Sequence, residues 1–159
     1  MVTVDDEYQK KYIEETKELF YRRVSYILLV GIILIPLFGV LDVVVARPHL
    51  KLFVMYRFGC SCFLLLLYLI YRSHAGEKYA YAIAVIAYIV SGLTISLLCV
   101  HLGGYESLYY VGVIMVMVTF NVILPLDALR SGAAGIMLFF IYAASIVILS
   151  EPTTQNLKI

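Results

Sequence analysis

Five stretches of the chain carry apolar residues almost without interruption: residues 24–45, 52–71, 79–100, 108–126 and 132–149. Each is close to the ~20 apolar helical residues that cross a bilayer core. None alternates apolar with polar positions, and all are too long for barrel strands. The separators are short and carry turn formers or charge: Arg47-Pro48-His49, residues 72–76, Gly103-Gly104, residues 125–132 and Glu151-Pro152. This pattern predicts an all-α, polytopic transmembrane helix bundle with five visible spans. The fourth and fifth runs are joined so tightly that a re-entrant hairpin is the alternative for that pair. No internal repeat points to an inverted-repeat transporter.

The polar positions divide the chain into three parts. Residues 1–23 place Tyr8, Tyr12, Thr16, Leu19 and Phe20 near a helical spacing, with charges elsewhere. They predict a cytoplasmic amphipathic helix leading into the first span, with partner binding or dimerisation as its functional reading. Residues 24–150 form the predicted bundle. Residues 151–159 are a short polar tail, expected to be an external loop leading to a sixth span beyond the chain. The first apolar run is longer than a signal-peptide core and follows a charged segment, so it reads as an uncleaved anchor.

Composition sharpens the class. Of 159 residues, 63% are hydrophobic and 14% charged, and the mean hydropathy is +0.94. Soluble domains run nearer to about 45–50% apolar and about 25% charged. So much apolar surface cannot be hidden in one small core, which excludes a soluble enzyme, a disordered segment and a nucleic-acid-binding domain. The three cysteines, Cys60, Cys62 and Cys99, all lie inside apolar runs and read as small hydrophobes. There is no P-loop, zinc spacing, nucleophile with a base, or pair of carboxylates in one span, so this chain is not expected to be an enzyme.

The basic residues set the expected orientation. Lys10, Lys11, Lys17, Arg22, Arg23, Arg72, Lys78 and Arg130 fall on one side of the predicted spans, and Arg47, Lys51 and Lys158 on the other. The excess belongs in the cytoplasm, with the N-terminus. The loop holding Gly103, Gly104 and Glu106 then faces outward.

A few polar residues lie within the apolar runs. Asp42 and Arg57 sit at matching depth near the outer ends of the first two spans, roughly 5–8 Å below them at the rise of a helix. An unpaired charge at depth is expensive, so they are expected to form a structural pair; separate snorkelling or a direct role in signalling are the alternatives. Thr119 and Asn121 in span four are expected to bond between helices, with Ser91, Thr94 and Ser96 as partners unless those bond their own backbone. Gly31, Pro36 and Gly39 indicate a kink or close packing in span one. Ala128 with Gly132, and Gly92 with Ser96, offer small-residue seams. His101 closes span three. Haem would need histidines facing one another in the bundle, and His101 has no evident partner, so no metal or other cofactor is expected.

The stretch HLGGYESLYYVGVIMVMVTFNVILPLD, residues 101–127, resembles a segment of the six-helix N-terminal membrane domains of bacterial receptors, which precede histidine kinases, adenylate cyclases and related modules. That family carries Gly, then Ser-Pro-Tyr-Tyr-x-Gly, an apolar span and Leu-Pro. Gly104, Ser107, Tyr109, Tyr110, Gly112, Leu124 and Pro125 match, while Leu108 replaces the proline. The segment IPLFGVLD, residues 35–42, and Arg57 are similar too. The resemblance implies a sensory input domain in the bacterial inner membrane, most often of a sensor histidine kinase, homodimeric at full length and responsive to a small or lipophilic cue. The favoured ligand region is His101, Tyr105, Ser107, Tyr109 and Tyr110; the same residues would equally build a tight turn and an interfacial aromatic belt. Membrane lipid is an expected partner, nucleic acid is not. A small transporter or a complete accessory membrane subunit is the rival reading.

Overall fold

The computed structural model describes residues 4–45, 47–73, 76–124 and 126–149. Among these there are only helices and turns: α1 (Val4–Leu37), α2 (Gly39–Val45), a 3-10 turn (Arg47–His49), α3 (Leu50–Arg72), α4 (Gly76–His101), a second 3-10 turn (Gly104–Glu106), α5 (Tyr110–Ile123) and α6 (Ala128–Leu149). His74, Pro125 and the predicted tail lie outside the described residues.

The first observation concerns α1, which runs unbroken for 34 residues across the change from polar to apolar sequence at residues 23 and 24. No glycine or proline interrupts residues 4–30, so nothing stops a helix once nucleated. Its exposed N-terminal turns are braced locally, Arg22 pairing with Glu18 at 3.0 Å. The interruption comes instead within the predicted first span. Pro36 has no N–H for the carbonyl of Ile32, Phe38 forms a turn, and the chain restarts as α2 at Gly39. Phe38 N–H still reaches Leu34 O at 3.0 Å, and Leu41 N–H reaches Phe38 O at 3.1 Å, so the break is sharp and hydrogen-bonded.

A correction concerns the fourth run, which is helical only over the 14 residues of α5. That is about 21 Å of helix, short of a hydrocarbon core of about 30 Å. Both ends are set locally. The Tyr109 N–H donates to Ser107 Oγ at 3.2 Å ahead of the first turn. Leu124 leaves the helix with ψ 131°, as a residue preceding a proline prefers.

Among the described residues, four helical stretches are long and apolar enough to cross a membrane by length and composition, α5 being the shorter exception. α4 is the hub, touching α1, α3, α5 and α6. Its apolar stretch is 56% buried, against 17–33% for the other three. The remaining apolar surface points outward, as at Leu66, Val122, Phe140 and Ile148, an exterior compatible with a membrane protein. The core runs along the bundle through Leu28, Leu64, Ala87, Tyr88, Phe120 and Leu138.

Small residues act differently from the expected seams. A Cβ at Gly92 would stand 2.0 Å from Leu138 Cδ1, so α4 and α6 close on each other there. Gly132 faces open space and makes no seam; α6 approaches α5 at Gly135, against Met117. The reason is rotation about α6, since positions 132 and 135 lie about 60° apart on a helix.

Candidate functional site

The turn at Phe38 decides what Asp42 meets. It carries α2 onto the N-terminal part of α3, where Asp42 is 0% exposed and Arg57 is 6% exposed. The Arg57 fork donates from Nε to Asp42 Oδ2 at 2.5 Å and from Nη2 to Oδ1 at 2.8 Å. Its Nη1 donates to the carbonyl of Ile35 at 3.1 Å. Ile35 lies in the last turn of α1, where carbonyls lack helical donors. The Tyr109 hydroxyl, just ahead of α5, also donates to Asp42 Oδ1, at 2.5 Å. One carboxylate therefore gathers α2, α3 and the start of α5, while its arginine holds the end of α1. A buried ion pair is tolerable only with such geometry and with its remaining hydrogen-bonding capacity met.

The turn that presents Tyr109 depends on two left-handed glycines, Gly103 at φ 98° and Gly104 at φ 63°. L side chains avoid this region. Ser107 is buried and spends its hydroxyl oxygen on the Tyr109 N–H, so it builds the turn and does not face outward. Tyr105 is exposed and Tyr110 is 43% exposed, both turned away from the network. Of the five residues proposed from sequence, Ser107 and Tyr109 thus point inward, Tyr105 and Tyr110 outward.

His101 does have neighbours. Its ring centroid lies 6.0 Å from Tyr56, 6.2 Å from His49 and 6.5 Å from Phe53. Phe53, fully buried, meets Tyr109 edge-on at 6.2 Å. Two imidazoles and the rings of Phe53, Tyr56 and Tyr109 therefore form one cluster that meets the charge network through Tyr109. Sequence reasoning missed His49, Phe53 and Tyr56. The available signal was antiparallel pairing: α3 begins at the level where α4 ends. Among the described residues no three His, Cys, Asp or Glu side chains converge as a metal centre.

The other polar residues tie helices elsewhere. Asn121 Oδ1 accepts from the Ser131 hydroxyl at 2.7 Å, joining α5 to α6 and not to α4. Thr94 and Ser96 bond carbonyls of their own helix, Val90 and Gly92, at 2.8 Å each. Thr119 is half-buried, and no side-chain hydrogen bond of it is described. At the opposite end of the bundle Arg23 Nη1 donates to the Ile123 carbonyl at 3.2 Å. It covers one of the orphan carbonyls that end α5, where a cation is favoured. Beside it the Tyr71 hydroxyl donates to the Tyr21 carbonyl. α5 is thereby held at both ends by the α1–α2 arm, through Tyr109 and Ile123.

No family model, curated protein or solved structure matches the chain.

Proposed function

We propose that the chain is the membrane-embedded sensory input domain of a bacterial signal-transduction receptor, a sensor histidine kinase, with its N-terminus in the cytoplasm. The observation that carries this reading is the buried Asp42–Arg57–Tyr109 network beneath the outer turn. A receptor needs an element with two settings whose balance a cue shifts through differential affinity. Here one hydroxyl links the start of α5 to a carboxylate already satisfied by arginine. Releasing or remaking that single bond changes how α5 sits against α2 without dissolving the ion pair. The aromatic and imidazole layer above it offers an approaching small or lipophilic molecule both apolar surface and hydrogen bonds. The described charge pair lies toward one end of the bundle, unlike the midplane sites of transporters.

The test is output from the full-length receptor. Tyr109→Phe removes the bond to Asp42 and keeps the ring; it is expected to alter effector activity across a panel of cues at unchanged membrane levels. Tyr110→Phe, on the outward ring, is expected to respond as wild type. Equal behaviour of the two variants removes the network from signalling. The gene beyond the codon for Ile159 offers a cheaper discriminator: a sixth span followed by a kinase or cyclase supports the reading, and a stop codon favours an accessory subunit.

Orientation is tested separately. A topology reporter fused after Arg23 or at Gly76 is expected to read as cytoplasmic, and one at Gly104 as external. The opposite pattern overturns the receptor assignment.

A further inference from the structure

We propose that α1, where Pro36 interrupts its hydrogen-bond ladder, binds one structural water molecule, held between the Ser61 hydroxyl of α3 and the Ile32 carbonyl of α1. Two groups at the same level lack ordinary partners. Ser61 is 8% exposed, and its Oγ has no hydrogen-bond partner among the described residues. Buried hydroxyls are nearly always satisfied by protein or by ordered water. Across the interface, Pro36 has no N–H to give the carbonyl four residues earlier, which belongs to Ile32.

The register of the two helices brings these groups together. α1 and α3 run antiparallel, and Arg57 Nη1 on the Ile35 carbonyl fixes both their level and their facing sides. One turn inward along α3 from Arg57 is Ser61, on the same face. One turn inward along α1 from Ile35 is Ile32, also on the same face. The next contact inward is Gly31 against Leu64, where a Cβ would stand 2.9 Å from Leu64 Cδ1. Ser61 and Ile32 are thus bracketed by two contacts of one interface. A water there accepts from or donates to the serine hydroxyl and donates to the carbonyl, which meets the minimum of two polar partners that a buried water requires. Kinks in helices are places where a water enters the hydrogen-bond ladder. The site takes a neutral, hydrogen-bonding ligand, since Asp42 and Arg57 one turn away already neutralise each other and leave no charge for an ion to answer.

The inference is independent of the receptor reading, and its test uses stability alone. Thermal midpoints of the detergent-solubilised full chain are compared for Ser61→Ala, Ser61→Thr, Pro36→Ala and the double variant Pro36→Ala with Ser61→Ala. If the hydroxyl holds a water that serves Ile32, Ser61→Ala lowers the midpoint and Ser61→Thr, which keeps a hydroxyl, recovers it. Restoring an N–H at position 36 satisfies Ile32 directly, so in the Pro36→Ala background Ser61→Ala becomes neutral or raises the midpoint. An unchanged or higher midpoint for Ser61→Ala in the wild-type background means that the hydroxyl holds nothing and overturns the proposal. An equal fall in both backgrounds overturns it as well, because the partner is then not Ile32.

Discussion

Arg57→Ala is expected to be the most damaging single substitution in the bundle, costing about 3–5 kcal/mol, the usual range for stranding one partner of a buried pair. Asp42 is fully buried and would keep only the Tyr109 hydroxyl, while the Ile35 carbonyl would lose its donor. Arg47→Ala, at an exposed position, is expected to stay within about 0.5 kcal/mol of wild type. Two double variants separate charge from packing. Asp42→Ala with Arg57→Ala leaves no buried charge and should be more stable than Arg57→Ala alone. The exchange Asp42→Arg with Arg57→Asp should recover only part of the loss, because a carboxylate at position 57 cannot donate to Ile35. Denaturant titration of the solubilised protein reads all of these. Equal stability across the set would mean that the ion pair contributes nothing.

The second large effect is expected where α4 meets α6. Leu138 is 1% exposed and fills the space a side chain would need at Gly92. Leu138→Ala is expected to cost about 2–5 kcal/mol through lost contacts and the cavity left behind. Gly92→Val forces atoms into Leu138 and is expected to cost about 1–3 kcal/mol. Because each change occupies or vacates the same space, the double variant should be more stable than the sum of the two predicts. Gly135→Ala makes the informative contrast. Its new methyl meets Met117 Cε, the free end of a flexible side chain, and alanine gains helix propensity over glycine. It should be close to neutral. Additive losses at Gly92 and Leu138 would show that the two helices do not share that contact.

What could be read from sequence follows from what each signal measures. Hydropathy located the long helices because each is a run of about twenty apolar residues. It could not see the ends of α5, since residues 108–126 are apolar throughout the region where Ser107 and Leu124 stop the helix. It also placed a boundary at residue 23, where polarity changes and backbone preference does not. Counting residues from helix ends brings Asp42 level with Arg57, because adjacent antiparallel helices share one depth scale. Tyr109 is 67 residues from Asp42 in sequence. Its place in the network depends on the turn ahead of α5 bringing its hydroxyl to Asp42, a tertiary contact that no local pattern encodes. Asn121 was expected to reach α4 and instead bonds Ser131, because the tight connection after Ile123 brings the start of α6 nearer.

The unbroken α1 has a mechanical consequence. Near Tyr21 and Arg23 it is pinned by Tyr71 and by the last carbonyl of α5. At the rise of an α-helix, Ile35, held by Arg57, stands about 18 Å to one side of Arg23, and Val4 about 25 Å beyond Tyr21 on the other. A rigid rod held at two levels cannot tilt about either one alone. The turns before Tyr21, exposed through most of residues 8–19, project as an overhang beyond both anchors.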